Sequence, residues 1–149
     1  MTDKFSIPYR VRLADTDAAG VVYFAHLLAM CHTAYEEVLV NLGIDLPKWV
    51  RQGTIAIPII HGEIDCLRPI FWGDLVIITL TPQLVSDNEF VIAYQFTSET
   101  EPDRILAKGK TQHVCINPQT RQRQPLPQEM TTGLIRDSQH RGECNPEIG

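Results

Sequence analysis

Two carboxylates one residue apart, Asp15 and Asp17, have the types and spacing best suited to chemistry in this chain. They stand in the run Ala14-Asp15-Thr16-Asp17-Ala18-Ala19-Gly20-Val21-Val22-Tyr23-Phe24-Ala25-His26, immediately before a segment with helical periodicity. A helix start offers backbone N–H groups without intrahelical acceptors and the positive end of the macrodipole. An acid placed there can act as a general base or a nucleophile. The same residue types also suit a plain turn, in which an aspartate only caps or bends the chain. His26 has two readings as well: a helix-entry side chain bonded to solvent or a backbone carbonyl, or a hydrogen-bond partner for a substrate. His61 and Glu63 fall on one strand face, and Glu36 and Glu37 read as solvated charges late on a helix.

The elements that must position these groups follow from periodicity. From Ile7 onward Tyr9, Val11 and Leu13 alternate with Arg10 and Arg12, the pattern of a half-buried strand, with Pro8 at its entry. Leu27, Met30, Cys31, Ala34, Tyr35, Val38, Leu39 and Leu42 recur at i, i+3, i+4 spacing, which predicts an amphipathic helix over 27–42 ended by Gly43. Residues 44–54, with Pro47 and Gly53, read as a short helical piece or loop. Strands are expected over 55–67, 75–81 (closed by Pro82), about 90–97 and 106–116, in the last of which Leu106, Lys108, Lys110, Gln112, Val114 and Ile116 share a side. Turns at 71–74, 86–88 and 99–103 separate them. One strand, one long helix and four more strands joined by short turns give an α+β fold, an antiparallel five-stranded sheet with the helix on one face. Such a sheet cannot cover itself and the helix, so an oligomer that continues it is expected. The domain is expected over 1–130. A polar tail follows over 131–149, and its last dozen residues have little to bury.

Composition narrows the classes. The chain has 149 residues, 44% hydrophobic and 21% charged, with a formal net charge of -5. That size supports one domain with a real core, and that charge argues against a non-specific nucleic-acid binder or a partner of anionic membranes. No apolar run approaches the ~18 residues of a membrane span. The N-terminal stretch has no apolar segment like that of a secretory leader, and the cysteines at 31, 66, 115 and 144 are widely spaced. They read as reduced residues of a cytoplasmic protein, with no metal site among them.

The run Asp15-Thr16-Asp17-Ala18-Ala19-Gly20-Val21-Val22-Tyr23-Phe24 resembles the signature of the hotdog-fold acyl-CoA thioesterases of the 4-hydroxybenzoyl-CoA thioesterase type. The resemblance extends to Glu36-Glu37 on the helix, Pro58 at a strand entry, Arg68-Pro69 and Gly73-Asp74, and covers about residues 5–127. Within the group, Val22-Tyr23-Phe24-Ala25-His26 is most similar to the 1,4-dihydroxy-2-naphthoyl-CoA hydrolases of phylloquinone synthesis. The resemblance implies a sheet wrapped around the long helix, a dimer or tetramer with sites at the subunit interface, and hydrolysis of an acyl-CoA without metal or other cofactor. It places the catalytic carboxylate on Asp17, leaves Asp15 to hold the turn, and gives the oxyanion to the backbone N–H of Phe24. His26 is then a candidate to touch the acyl group or thioester. Relatives can carry an arginine-lysine cluster for coenzyme A phosphates before the fourth strand; here that turn is Ser86-Asp87-Asn88-Glu89. Arg68, Lys108, Lys110, Arg121 and Arg123 are the substitutes to consider. The alternatives are another aryl or short-chain acyl-CoA, an acyl carrier protein substrate, or a non-catalytic module that binds acyl-CoA.

Overall fold

The structure, a computed structural model, describes residues 4–135. Its elements are β1 (Phe5–Arg10), α1 (Phe24–Asn41), α2 (Leu46–Gln52), β2 (Ile59–Cys66), β3 (Leu75–Ser86), β4 (Glu89–Ser98) and β5 (Ile105–Val114). The strands form one antiparallel sheet in the order β1-β3-β4-β5-β2. The apolar stripe of α1 (Leu27, Met30, Cys31, Ala34, Tyr35, Val38, Leu39) is buried in the same core as Val76, Ile78 and Leu80 of β3, and Phe90, Ile92, Tyr94 and Phe96 of β4. Removing these side chains from water is the main stabilising contribution of the fold. Gly109 of β5 lets the helix come close: a Cβ there would sit 2.9 Å from Ile64 Cδ1 and 3.3 Å from Cys31 Sγ.

The expected α+β architecture is present, with several local corrections. The last four strands are not a simple meander. β2 pairs with β5, because β3 already has β1 on one flank and β4 on the other, so residues 67–74 cross to the far side of the sheet. α1 begins at Phe24, three residues before the apolar stripe, since Phe24 and Ala25 are exposed and add nothing to its periodicity. β1 stops at Arg10; Leu13 lies in a single 3-10 turn, Leu13–Asp15, and is 62% exposed. β2 starts at Ile59, and residue 56 contributes only an isolated bridge to Ile116. β3 continues through Pro82 to Ser86. Pro82 lies beyond the pairing with β1, whose Phe5 faces Leu80, so one flank of the strand makes no described ladder bond there.

In β5 the set Ala107, Thr111 and His113 is buried, opposite the exposed Lys108 and Lys110, while Leu106 and Val114 are buried at the strand ends. Met130, Leu134 and Ile135, in and beside a π-helical turn (Met130–Leu134), carry the packed chain past residue 130. The remainder of the polar tail, 136–149, with its expected lack of packing, lies outside the described residues.

Candidate active site

Residues 16–22 form a tight hairpin whose tip is built by Asp17. Thr16 and Val22 make a β-bridge, the Asp17 N–H donates to the Val21 carbonyl (2.9 Å), and the Gly20 N–H donates to the Asp17 carbonyl (3.0 Å). Gly20 has φ of 84°, the left-handed conformation that returns the turn to the ladder and that a side chain would disfavour. The Ala19 N–H donates to Asp17 Oδ1 at 2.8 Å. Oδ2 takes no hydrogen bond among the described residues, and the side chain is exposed. The backbone thus orients the carboxylate by one oxygen and leaves the other open.

Asp15 is placed differently. Its Oδ2 accepts the Tyr9 hydroxyl (2.9 Å) and the Arg12 N–H (2.9 Å), and its carbonyl accepts the Tyr23 N–H (3.0 Å) and His26 Nδ1 (2.9 Å). Burial, then the bond to Asp15, raises the Tyr9 pKa. A carbonyl can only accept, so His26 carries its proton on Nδ1. In the neutral ring Nε2 is then an acceptor, with no partner among the described residues. Asp15 therefore ties β1, the hairpin and the first turn of α1 together.

The Phe24 N–H belongs to the first residue of α1, whose N-cap Tyr23 is extended. It has no intrahelical acceptor and no other partner among the described residues. Hydrogen bonds from Asp17 to Val21 and from Tyr23 to Asp15 hold the carboxylate and this donor on one compact hairpin-helix junction. The junction is sewn to the β2–β3 crossover by the Val22 N–H to Ile70 carbonyl bond (2.8 Å) and the Val21–Phe71 bridge. A hollow of about 240 Å³ opens between them, lined by Val21, Leu27, Cys66, Leu67, Arg68 and Ile70 among others.

Of the candidate phosphate contacts, only Arg68 reaches a cavity beside the hairpin. Arg123 is held by Glu89 (2.8 Å) and Asn88 (3.1 Å). Lys108 and Lys110 face Asp65 and Glu63 across the ladder, and Arg121 sits at φ 64° in a turn. His61 bonds Glu63 (3.0 Å) on the exposed edge strand.

Sequence reasoning missed two features. One is a buried chain of polar groups, Tyr94 Oη to Thr111 Oγ1 (2.9 Å) to His113 Nε2 (2.8 Å), under α1. The alternation of Thr111 and His113 was its available signal. The other is the ring pair Phe71 and Trp72, 49% and 63% exposed, on the crossover beside the hairpin, where only a turn was expected.

Comparison with known proteins adds identity to this geometry. The model of the thioesterase-like superfamily matches residues 11–134. A 1,4-dihydroxy-2-naphthoyl-CoA hydrolase of Rippkaea orientalis is 53% identical over 124 residues, covering 83% of this chain and 90% of the relative. A protein of the same name from Picosynechococcus is 50% identical over 127 residues, covering 83% and 87%. The crystal structure of a 1,4-dihydroxy-2-naphthoyl-CoA thioesterase from Synechocystis superposes with a TM-score of 0.85 at 37% identity, covering 89% of this chain and 96% of that one.

Proposed function

The chain belongs to the thioesterase-like superfamily, and on that premise we propose that it hydrolyses an aromatic acyl-CoA, 1,4-dihydroxy-2-naphthoyl-CoA, to the free acid and coenzyme A in phylloquinone biosynthesis. The observation that carries the reading is the Asp17 hairpin, which presents an oriented, half-free carboxylate on the same junction as the unpartnered Phe24 N–H. The name shared by relatives at 53% and 50% identity supports the choice of acyl group.

The thioester carbonyl oxygen is proposed to lie at the Phe24 N–H, where the helix dipole adds to the hydrogen bond as negative charge develops. Asp17 Oδ2 then acts in one of two ways. It takes a proton from a water whose oxygen bonds to the carbonyl carbon; the C–S bond breaks as the tetrahedral intermediate collapses, and the thiolate is protonated. Alternatively it bonds to the carbonyl carbon itself, expels the thiolate, and leaves a mixed anhydride that water opens. Both routes use the same carboxylate and the same donor. His26, with Nε2 free to accept, is suited to a hydroxyl of the dihydroxynaphthoyl ring.

Self-association as a dimer, able to pair into a tetramer, completes the proposal. It is supported by β2, an edge strand with mostly exposed side chains that include Ile59 and Ile60, and by exposed Leu67 just beyond it. No helix among the described residues is long and apolar enough to cross a membrane.

Asp17→Asn tests the reading. Thiol release from the naphthoyl ester should fall on the order of 10²–10⁴-fold, with the circular dichroism spectrum and melting temperature retained. Full activity in that variant would remove Asp17 from the chemistry.

A further inference from the structure

Trp72 is one of two tryptophans in the chain. The other, Trp49, is packed into the core at 8% exposure, whereas Trp72 is 63% exposed. A large apolar ring left in water is a feature to explain, because burying it against a flat partner is favourable. Its backbone is not loose. Phe71 N–H donates to Asp74 Oδ2 (2.9 Å), Asp74 N–H to the Phe71 carbonyl (3.1 Å), and Gly73 N–H to the Val11 carbonyl (3.0 Å). The turn is therefore clamped to the strand leading into the hairpin.

The same turn is clamped to the hairpin itself. Phe71 bridges Val21, and Val21 accepts the Asp17 N–H. Tyr23 and Phe24, 44% and 54% exposed with ring centroids 4.9 Å apart, flank the other end of the hairpin. Four exposed aromatic residues thus stand on the two segments joined to the hairpin, Phe71 and Trp72 on the crossover and Tyr23 and Phe24 at the helix start. In an aryl thioester the ring is bonded directly to the carbonyl carbon, so a carbonyl held at Asp17 and Phe24 keeps its ring beside this junction. The adenine of coenzyme A lies at the far end of the pantetheine arm.

We infer that Trp72 is the residue that selects for an aromatic acyl group, its indole stacking on the acyl ring while the thioester sits at Asp17. The inference rests on the proposed thioesterase reading.

The test combines rate constants with a direct optical readout. Trp72→Ala should lower kcat/KM on 1,4-dihydroxy-2-naphthoyl-CoA and benzoyl-CoA about tenfold, as loss of a stacked ring does, and leave butyryl-CoA within about twofold on the same scale. Trp72→Phe should recover most of the loss on the aryl substrates. In wild-type protein 1-hydroxy-2-naphthoate should quench indole emission, the quench should vanish in Trp72→Phe, and free coenzyme A should cause none.

Equal losses on aryl and aliphatic substrates would overturn the inference. So would quenching by free coenzyme A, which would move the stack to adenine, and so would ligand-free emission that shifts with protein concentration, which would place a second copy over Trp72. If wild type turns over no aryl-CoA, the thioesterase reading falls, and the quench by 1-hydroxy-2-naphthoate decides the role of Trp72 alone. If wild type turns them over and neither readout responds to Trp72→Ala, only the Trp72 assignment falls.

Discussion

Asp15 accepts two hydrogen bonds at its side chain, from Tyr9 and Arg12, and two at its carbonyl, from Tyr23 and His26, whereas Asp17 accepts one at its side chain, from Ala19, and one at its carbonyl, from Gly20, with Oδ2 left open among the described residues. Two like residues in one motif are thereby placed differently, one tied into the junction and the other, the proposed catalytic acid, left half-free. Asp15→Asn removes the charge that strengthens the bonds from Tyr9 and Arg12. It should cost about 1–2 kcal/mol in urea denaturation and lower turnover far less than Asp17→Asn. A loss of activity equal to that of Asp17→Asn, at unchanged stability, would mean that the two roles are reversed. The sequence displayed both acids and Gly20, because the turn needs those types. It did not display the asymmetry, which arises from Tyr9 and His26 arriving from other elements.

At the level of elements, periodicity made α1 and the paired strands legible, because each buries one face only. It blurred wherever exposure masked the signal: at Phe24 and Ala25, which open the helix facing water, and at Pro82, a strand residue in the guise of a strand end. The destination of β2 was not legible at all, since pairing partners leave no trace in a single strand's pattern. The face of β5 that meets α1 holds His113, fully buried, stacked on Phe90 (4.6 Å between centroids), beside Tyr35 (4.8 Å) and bonded to Thr111. Burial, and secondarily the charge of His32, lowers its pKa to about 4.

A folded pKa below the unfolded value means that the unfolded chain binds the extra proton first. The neutral ring's stabilising contribution is whole above about pH 6.5 and declines as pH falls towards 4. Denaturation at pH 7 and pH 4.5 should show a loss of roughly 2–3 kcal/mol that His113→Gln lacks. Identical pH dependence in the two proteins would mean that His113 is hydrated in the folded state.

The whole molecule leaves its proposed active site at the surface of a single chain: the Asp17 tip is exposed, and so are β2 at one sheet edge and the rings of Tyr23, Phe24, Phe71 and Trp72. Proposed catalysis and proposed self-association therefore belong together, since a second copy would shield from water a site that one chain leaves open. Ile60→Asp, a charge on the half-exposed apolar position of β2, should shift sedimentation from dimer or tetramer to monomer and reduce turnover with it. A wild-type protein that sediments as a fully active monomer would separate the two. The most direct test of the central claim is thiol release from 1,4-dihydroxy-2-naphthoyl-CoA by wild type and by Asp17→Asn, assayed side by side at equal concentration of folded protein. Rapid release by wild type and near-complete loss in the variant are the expected result. Release by both at the same rate, or by neither, would contradict it.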